Sequence, residues 1–303
     1  MVKVKIRAAL GILIITLLMA GYADILVCRD GATYADGITV KTIDKKGAES
    51  DPATPGVNIS PVETGQHKSH VVFAELGSVS WCPNCPQATE KMSELFSTGA
   101  PSSFYYVTLV YDLNTIAAKR GRQLSDTYIP MLYLDGGYQV VDETNSYASA
   151  IDTLSNREVH PLKMDLSSQW QGDTAIDIRV SITNEDSAAY FGHLRVQVTE
   201  INSRWNNYNG DPFHYALLDY TFDKYIRIPP GDTYVETATW KGSERHGGQT
   251  YEDITQDNIM IIGTVSHWLP HLQNNPWTTP RPFRFLAQYI DETQAAIPQQ
   301  SIL

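Results

Sequence analysis

The spacing of apolar and polar positions changes character along this 303-residue chain, and the changes mark out its elements. His70-Val71-Val72-Phe73-Ala74-Glu75-Leu76 is a short continuous apolar run, the pattern of a strand buried on both faces. Pro86 to Thr98 switches to a helical period. There Ala88, Met92, Leu95 and Phe96 share one face, and Gly99 supplies the stop. Phe104 to Tyr111, dense in aromatic and β-branched residues, reads as a second strand. Asn114 to Asp126 reads as a helix with Gly121 as its weak point. Met131–Leu134 and Tyr138–Val141 flank Asp135-Gly136-Gly137, a hairpin signal. Ser146 to Asn156 closes the series as a helix. The expected order is β-α-β-α-β-β-α, an α/β unit over residues 70–158.

Beyond His160-Pro161 the period falls to two. Ile176, Ile178, Val180 and Ile182 alternate with Asp177, Arg179 and Ser181, and Leu194, Val196 and Val198 repeat the pattern. Ile226 and Ile228 precede the turn Pro229-Pro230-Gly231-Asp232, and Thr233 to Trp240 returns. Asn258 to Val265 adds another strand, and Ser243 to Asp257 reads as a long loop. Strands at this spacing without intervening helices predict an all-β sandwich of the immunoglobulin-like type over residues 159–303.

The amino-terminal part follows neither pattern. Lys3, Lys5 and Arg7 precede the apolar run from Ala8, and Gly21-Tyr22-Ala23 places small residues where a leader is cut. Residues 1–23 therefore read as a secretory signal, with an uncleaved anchor as the alternative. Taken to Ala23, the run is about 16 residues, short of the roughly 20 that a spanning helix needs. Ile25-Leu26-Val27-Cys28 leaves lipidation open as a further form of envelope attachment, beside a free thiol or an intermolecular disulfide at Cys28. Residues 24–69 are linker-like, with Pro and Gly concentrated between Ala48 and Gln66, and contain the sequon Asn58-Ile59-Ser60. The expected location is outside the cytoplasm, secreted or in the cell envelope.

Charge narrows the function. Removal of residues 1–23 takes away three basic residues and no acid, leaving 20 basic against 34 acidic residues and a formal charge of −14. Such a surface repels phosphate backbones, so no nucleic-acid partner is expected. There is no phosphate loop or nucleophilic serine motif, and no cofactor is expected. No metal is expected either: His67-x-x-His70 lacks a completing ligand, Pro270 spoils the spacing of His267 and His271, and the Asn206–Asp211 loop lacks the terminal glutamate of a calcium site.

The chemistry concentrates in Trp81-Cys82-Pro83-Asn84-Cys85, between the first strand and the first helix. Two thiols at this spacing can face each other across a first helical turn. The helix dipole then favours the thiolate of Cys82. A four-ligand metal site would need a second pair, and Cys28 is the only other cysteine. Ile129-Pro130 immediately precedes a strand. A cis proline there would lay its backbone along the disulfide and leave Ile129 to hydrogen-bond an extended substrate. Trp81 offers a flat surface that shields the thiolate and meets substrate. Glu75, in a central strand, is the candidate buried acid that trades a proton with Cys85.

The order strand, W-C-x-x-C, helix, strand, helix, I-P, strand, D-G-G hairpin and helix resembles the thioredoxin superfamily over residues 70–158. C-P-N-C-P followed by an all-β domain is similar to exported, surface-associated thioredoxin-like proteins of bacteria and archaea. The resemblance implies that Cys82 attacks, Cys85 resolves and Pro130 is the cis proline. Glu75 matches the family's buried acid only approximately, being seven residues before Cys82, and Pro86 stands where many members carry lysine. The implied function is an exported thiol–disulfide oxidoreductase. Its partners would be protein thiols or disulfides and a separate recycling protein. The alternatives are a non-catalytic surface binding protein on a thioredoxin-like scaffold and a thiol carrier of Cu(I).

Overall fold

The computed structural model describes residues 70–99, 103–276 and 284–300. The signal segment 1–23, the linker 24–69, Cys28, the Asn58 sequon and His67 lie outside the described residues. Among the described residues no helix is long and apolar enough to cross a membrane.

The local elements follow the sequence pattern. Strand β1 (Val72–Ser78) leads to helix α1 (Cys85–Thr98), β2 (Phe104–Val110), α2 (Thr115–Gln123), β3 (Met131–Leu134), β4 (Gln139–Val141) and α3 (Tyr147–Ser155). Every residue of β1 is buried, Glu75 and Ser78 included, as in a strand covered on both faces. It pairs in parallel with β2 and antiparallel with β3, which pairs antiparallel with β4. The turn at Asp135, Gly136 and Gly137 takes three successive left-handed residues. The buried Asp135 carboxylate then accepts from Phe73 N–H and lies 2.8 Å from His70 Nε2 and 3.1 Å from Arg157 Nη2, tying β1 to the end of α3.

The remaining chain adds β5 (Leu162–Gly172), β6 (Ala175–Asn184), β7 (Tyr190–Asn206), β8 (Pro212–Ile228), β9 (Thr233–Lys241), β10 (Ile259–His267), β11 (His271–Asn274), β12 (Arg284–Ala287), β13 (Ile290–Ala296) and β14 (Gln299–Gln300). These strands do not close a sandwich apart from the first unit. β8 joins the open edge of β2 in parallel at Thr108 and Ala216, making one eight-stranded sheet ordered β13-β10-β7-β8-β2-β1-β3-β4. A four-stranded sheet, β14-β5-β6-β9, covers part of it, burying Met164, Ile178 and Val180 against Val196, Ile226 and Ile261.

This architecture corrects the expected fold class, an α/β thioredoxin-like domain followed by an all-β immunoglobulin-like sandwich. The described residues are mostly β, 51% strand and 17% helix, with three α-helices among them. The reason lies at the edge of β2. An uncovered edge exposes a row of unpaired backbone groups, and here β8 covers it. Thr108 Oγ1 donates to His214 O at 2.7 Å, and Asn114 Nδ2 donates to Leu217 O and Leu218 O at 2.6 and 3.0 Å. The core is shared accordingly: Phe73, Val107, Leu109 and Tyr133 pack with Leu217, Met260, Ile262 and Phe285.

Asn114 does two things at once. Its Oδ1 caps α2 by accepting from Ile116 and Ala117 N–H, while its amide holds β8. Asn114→Ala is expected to lose roughly 2–4 kcal/mol of stability in urea unfolding, a lost cap plus two lost buried hydrogen bonds to the carbonyls of β8. Asn114→Asp, which keeps the cap but not the donor, should recover less than half of that loss.

Candidate functional site

Cys82 and Cys85 are joined as a disulfide at the mouth of α1, beyond the end of β1. Cys85 is the first residue of the helix and Pro86 the second, where a missing N–H costs little. Cys82 N–H donates to Val79 O and Cys85 N–H to Cys82 O, both at 3.3 Å, so the pair sits in consecutive tight turns. The first turn of α1 holds no acidic side chain, and Asn84 makes no side-chain cap. The positive end of the helix dipole therefore falls on the sulfurs uncompensated. Asp112 fixes the approach to this turn by accepting from Ser80 N–H at 3.1 Å and from the Ser80 hydroxyl.

The two sulfurs differ in access. Cys85 is fully buried and Cys82 keeps 4% exposure. Their cover comes from Val79, Tyr111 and Ile129. Ile129-Pro130 is a cis peptide bond, and Ile129 packs on the pair. Trp81, by contrast, is 66% exposed and stands beside the pair rather than over it. Cys82, Cys85 and Ile129 thus come together, with Pro130 next to them and Trp81 at the rim.

Glu75 is buried, and its carboxylate is paired with a guanidinium. Arg120 Nε and Nη2 donate to its two carboxylate oxygens, each at 2.7 Å, in a bidentate pair between β1 and α2. A carboxylate held this way is committed to the guanidinium. A different acid, Asp126, lies closer to the role assigned to Glu75. At the end of α2 the N–H of Asp126 bonds to Gly121 O and that of Ser125 to Arg122 O, with Ser125 left-handed at φ 49°. These are the two bonds of a Schellman ending with serine in glycine's usual place. The ending folds Asp126 back under the sheet, where Tyr111 Oη donates to its Oδ2 at 2.6 Å.

Two glycines make room for this arrangement. A Cβ on Gly121 would strike the Tyr111 ring, and one on Gly77 would strike the Tyr111 hydroxyl and the Asp126 carboxyl. Burial pushes the Asp126 carboxyl up from 3.8 to about 7, against the opposing pull of the Tyr111 hydrogen bond. Burial and the same carboxyl hold the Tyr111 phenol well above its ordinary range, so it stays a donor. The site thus carries a carboxyl that titrates near neutrality, one phenol ring removed from the disulfide. Sequence reasoning missed it because Asp126 reads as an ordinary helix-ending polar residue. The available signal was Gly77 in a strand and Gly121 in a helix, two glycines inside regular elements that ask for a bulky neighbour.

No group of three or more metal-ligating side chains forms among the described residues. His70 is occupied by Asp135.

No family model matches the chain, and no curated protein matches it. Among solved structures, HBP35 of Porphyromonas gingivalis aligns over 78% of this chain and 79% of its own, with TM-score 0.57 and 10% identity. At that identity the likeness shows the fold alone. A β-glucuronidase of Bacteroides uniformis aligns over 42% of this chain and 12% of its own, with TM-score 0.23 and 13% identity. A β-glucosidase of Listeria innocua in complex with glucose aligns over 42% and 15%, with TM-score 0.24 and 11% identity. This chain spans only a small part of those enzymes, and they say nothing of its activity. The comparisons overturn the resemblance to the thioredoxin superfamily and the label thioredoxin-like, and they give no support to the label oxidoreductase that it carried. The fold they show is an HBP35-like, mostly β one, in which the Cys82–Cys85 disulfide stands as an observation of its own.

Proposed function

We propose that the chain exchanges disulfides with protein thiols outside the cytoplasm through Cys82 and Cys85. The observation that carries this reading is the placement of the pair: a disulfide at an uncompensated helix amino end, with Cys85 fully sealed and Cys82 keeping a slight exposure. In the reduced form the Cys82 thiolate attacks a substrate disulfide, forming a mixed disulfide and expelling one substrate thiolate. The Cys85 thiolate then attacks Cys82 Sγ, expelling the second substrate thiolate and restoring the Cys82–Cys85 bond. Two electrons pass from the pair to the substrate. The reverse sequence oxidises a substrate dithiol. A separate dithiol or disulfide protein returns the pair to its starting state. The export reading rests on the basic, apolar and small residues of positions 1–23.

Each neighbour has a place in this scheme. Ile129 and the cis Pro130 flank the pair, where an extended substrate backbone would lie, and exposed Trp81 offers that substrate an apolar face. Asp126 is a positioning residue acting through Tyr111. As a carboxylate it opposes a second negative charge on sulfur, and as an acid it does not. The second reading is an inert structural disulfide, and the slight exposure of Cys82 favours it. A ring this small restricts the unfolded chain little, which weighs against it.

A Cys85→Ser variant exposed to disulfide-bonded extracytoplasmic proteins should accumulate covalent adducts on Cys82, resolved by mass and reversed by dithiothreitol, while Cys82→Ser should give none. Failure of both reduced variants to form adducts, with a wild-type disulfide that survives excess dithiothreitol in the folded state, establishes the inert reading instead.

Asp126→Asn separates Asp126 from its surroundings. The folded carboxyl keeps a proton that the unfolded chain has already released. Wild-type stability should therefore be full below pH 3.8, fall as pH rises, and level off above about 7. Asp126→Asn should flatten that fall, gaining about 2–4 kcal/mol over wild type at the alkaline end of urea titrations. It should also remove the step near pH 7 from the exchange rate. An unchanged pH dependence in the variant contradicts the placement of Asp126.

A further inference from the structure

A cavity lies where α2, β7, β8 and the paired strands β11 and β12 meet. It measures about 610 Å³ and is lined by Arg120, His193, Arg195, Asp223, Tyr225, Trp268, Phe285 and Leu286, among others. That size is ordinary for a small-molecule site. Its two guanidinium groups are not equivalent. Arg120 is spent: Nε and Nη2 serve Glu75, and Nη1 donates to Gln123. Arg195 gives only its Nε, to Asp223 Oδ1 at 3.0 Å. Its side chain is 12% exposed, and among the described residues Asp223 is its one ion-pair partner. His193 adds a buried Nδ1 without a partner.

Burying a guanidinium is costly unless it is well paired, and the cost here has a chemical remedy. Burial, and then the charge of Arg120, push the Arg195 guanidinium below its ordinary range. A carboxylate reverses both effects, because its two oxygens match the planar fork. The walls opposite are apolar and open to solvent: Tyr225 is 67% exposed and Leu286 63%, with Trp268 beside them at 41%. Exposed apolar groups gathered around a cavity mark a surface meant to be covered.

We propose that this cavity binds a carboxylate carried on an apolar body, with Arg195 as the anion fork and Tyr225, Trp268 and Leu286 as the apolar wall. The site is independent of the disulfide and goes beyond the exchange reading, so the two stand or fall separately.

Titration of the full chain with para-fluorobenzoate, read by fluorine NMR linewidth, tests it. Binding should saturate with a dissociation constant at or below about 1 mM, and unlabelled octanoate should displace the probe. The uncharged para-fluorobenzamide should bind at least roughly tenfold more weakly. Arg195→Gln should lose benzoate binding by a similar factor. Because Arg195 is buried, Leu286→Glu serves as a surface variant that keeps the core intact, and its new charge at the cavity wall should weaken benzoate roughly tenfold while leaving the benzamide unchanged. A Cys82→Ser/Cys85→Ser protein should bind as wild type does. Equal affinity for acid and amide, no saturation below about 10 mM, or full benzoate affinity in Leu286→Glu overturns the assignment.

Discussion

Tyr111 is the side chain on which the architecture around the disulfide depends. Its ring lies on the backbones of Gly77 in β1 and Gly121 in α2, its hydroxyl holds Asp126, and it packs against Cys82 and Cys85. One residue thus couples the central strand, the second helix, the buried acid and the sulfur pair. None of these contacts tolerates much displacement, because close-packed interiors leave no slack for a ring lying on a peptide backbone. The disulfide is therefore backed by a rigid wall, and its reachable side is set by that wall.

The same economy appears at the edge of β2. Joining β8 there satisfies backbone groups that would otherwise lie open, and Asn114 and Thr108 use side-chain donors to fasten the join. The consequence is a shared core in which Leu217, Met260 and Phe285 pack with Phe73 and Val107. Loops that carry function gain from such a scaffold, since a site on rigid elements holds its geometry.

Much of this was legible in sequence because it is local. The apolar run of β1, the helical period of α1 and the Asp135-Gly136-Gly137 turn each announce themselves within a few residues. What could not be read was long-range. Nothing in the period of Phe104–Val110 says that its free edge meets residue 216, so the expectation of two separate folds gave way to one continuous sheet. Strand β13 escaped notice because it buries Asp291, Glu292 and Thr293 rather than an alternating apolar set. Glu75 was read as buried, but its partner Arg120 lies 45 residues on. Asp126 owes its place to a helix ending rather than to any motif. Arg195 was invisible for a related reason: its single bond to Asp223 crosses from β7 to β8, and only the assembled strands show what it lacks.

The central claim is that Cys82, once reduced, is an activated thiol. The direct measurement is the rate of its alkylation by iodoacetamide as a function of pH, in reduced Cys85→Ser protein. An uncompensated helix amino end should bring half-ionisation well below the ordinary thiol value of about 8.5. A midpoint at or above that value, with the slow rate of an unactivated thiol at neutral pH, contradicts the account.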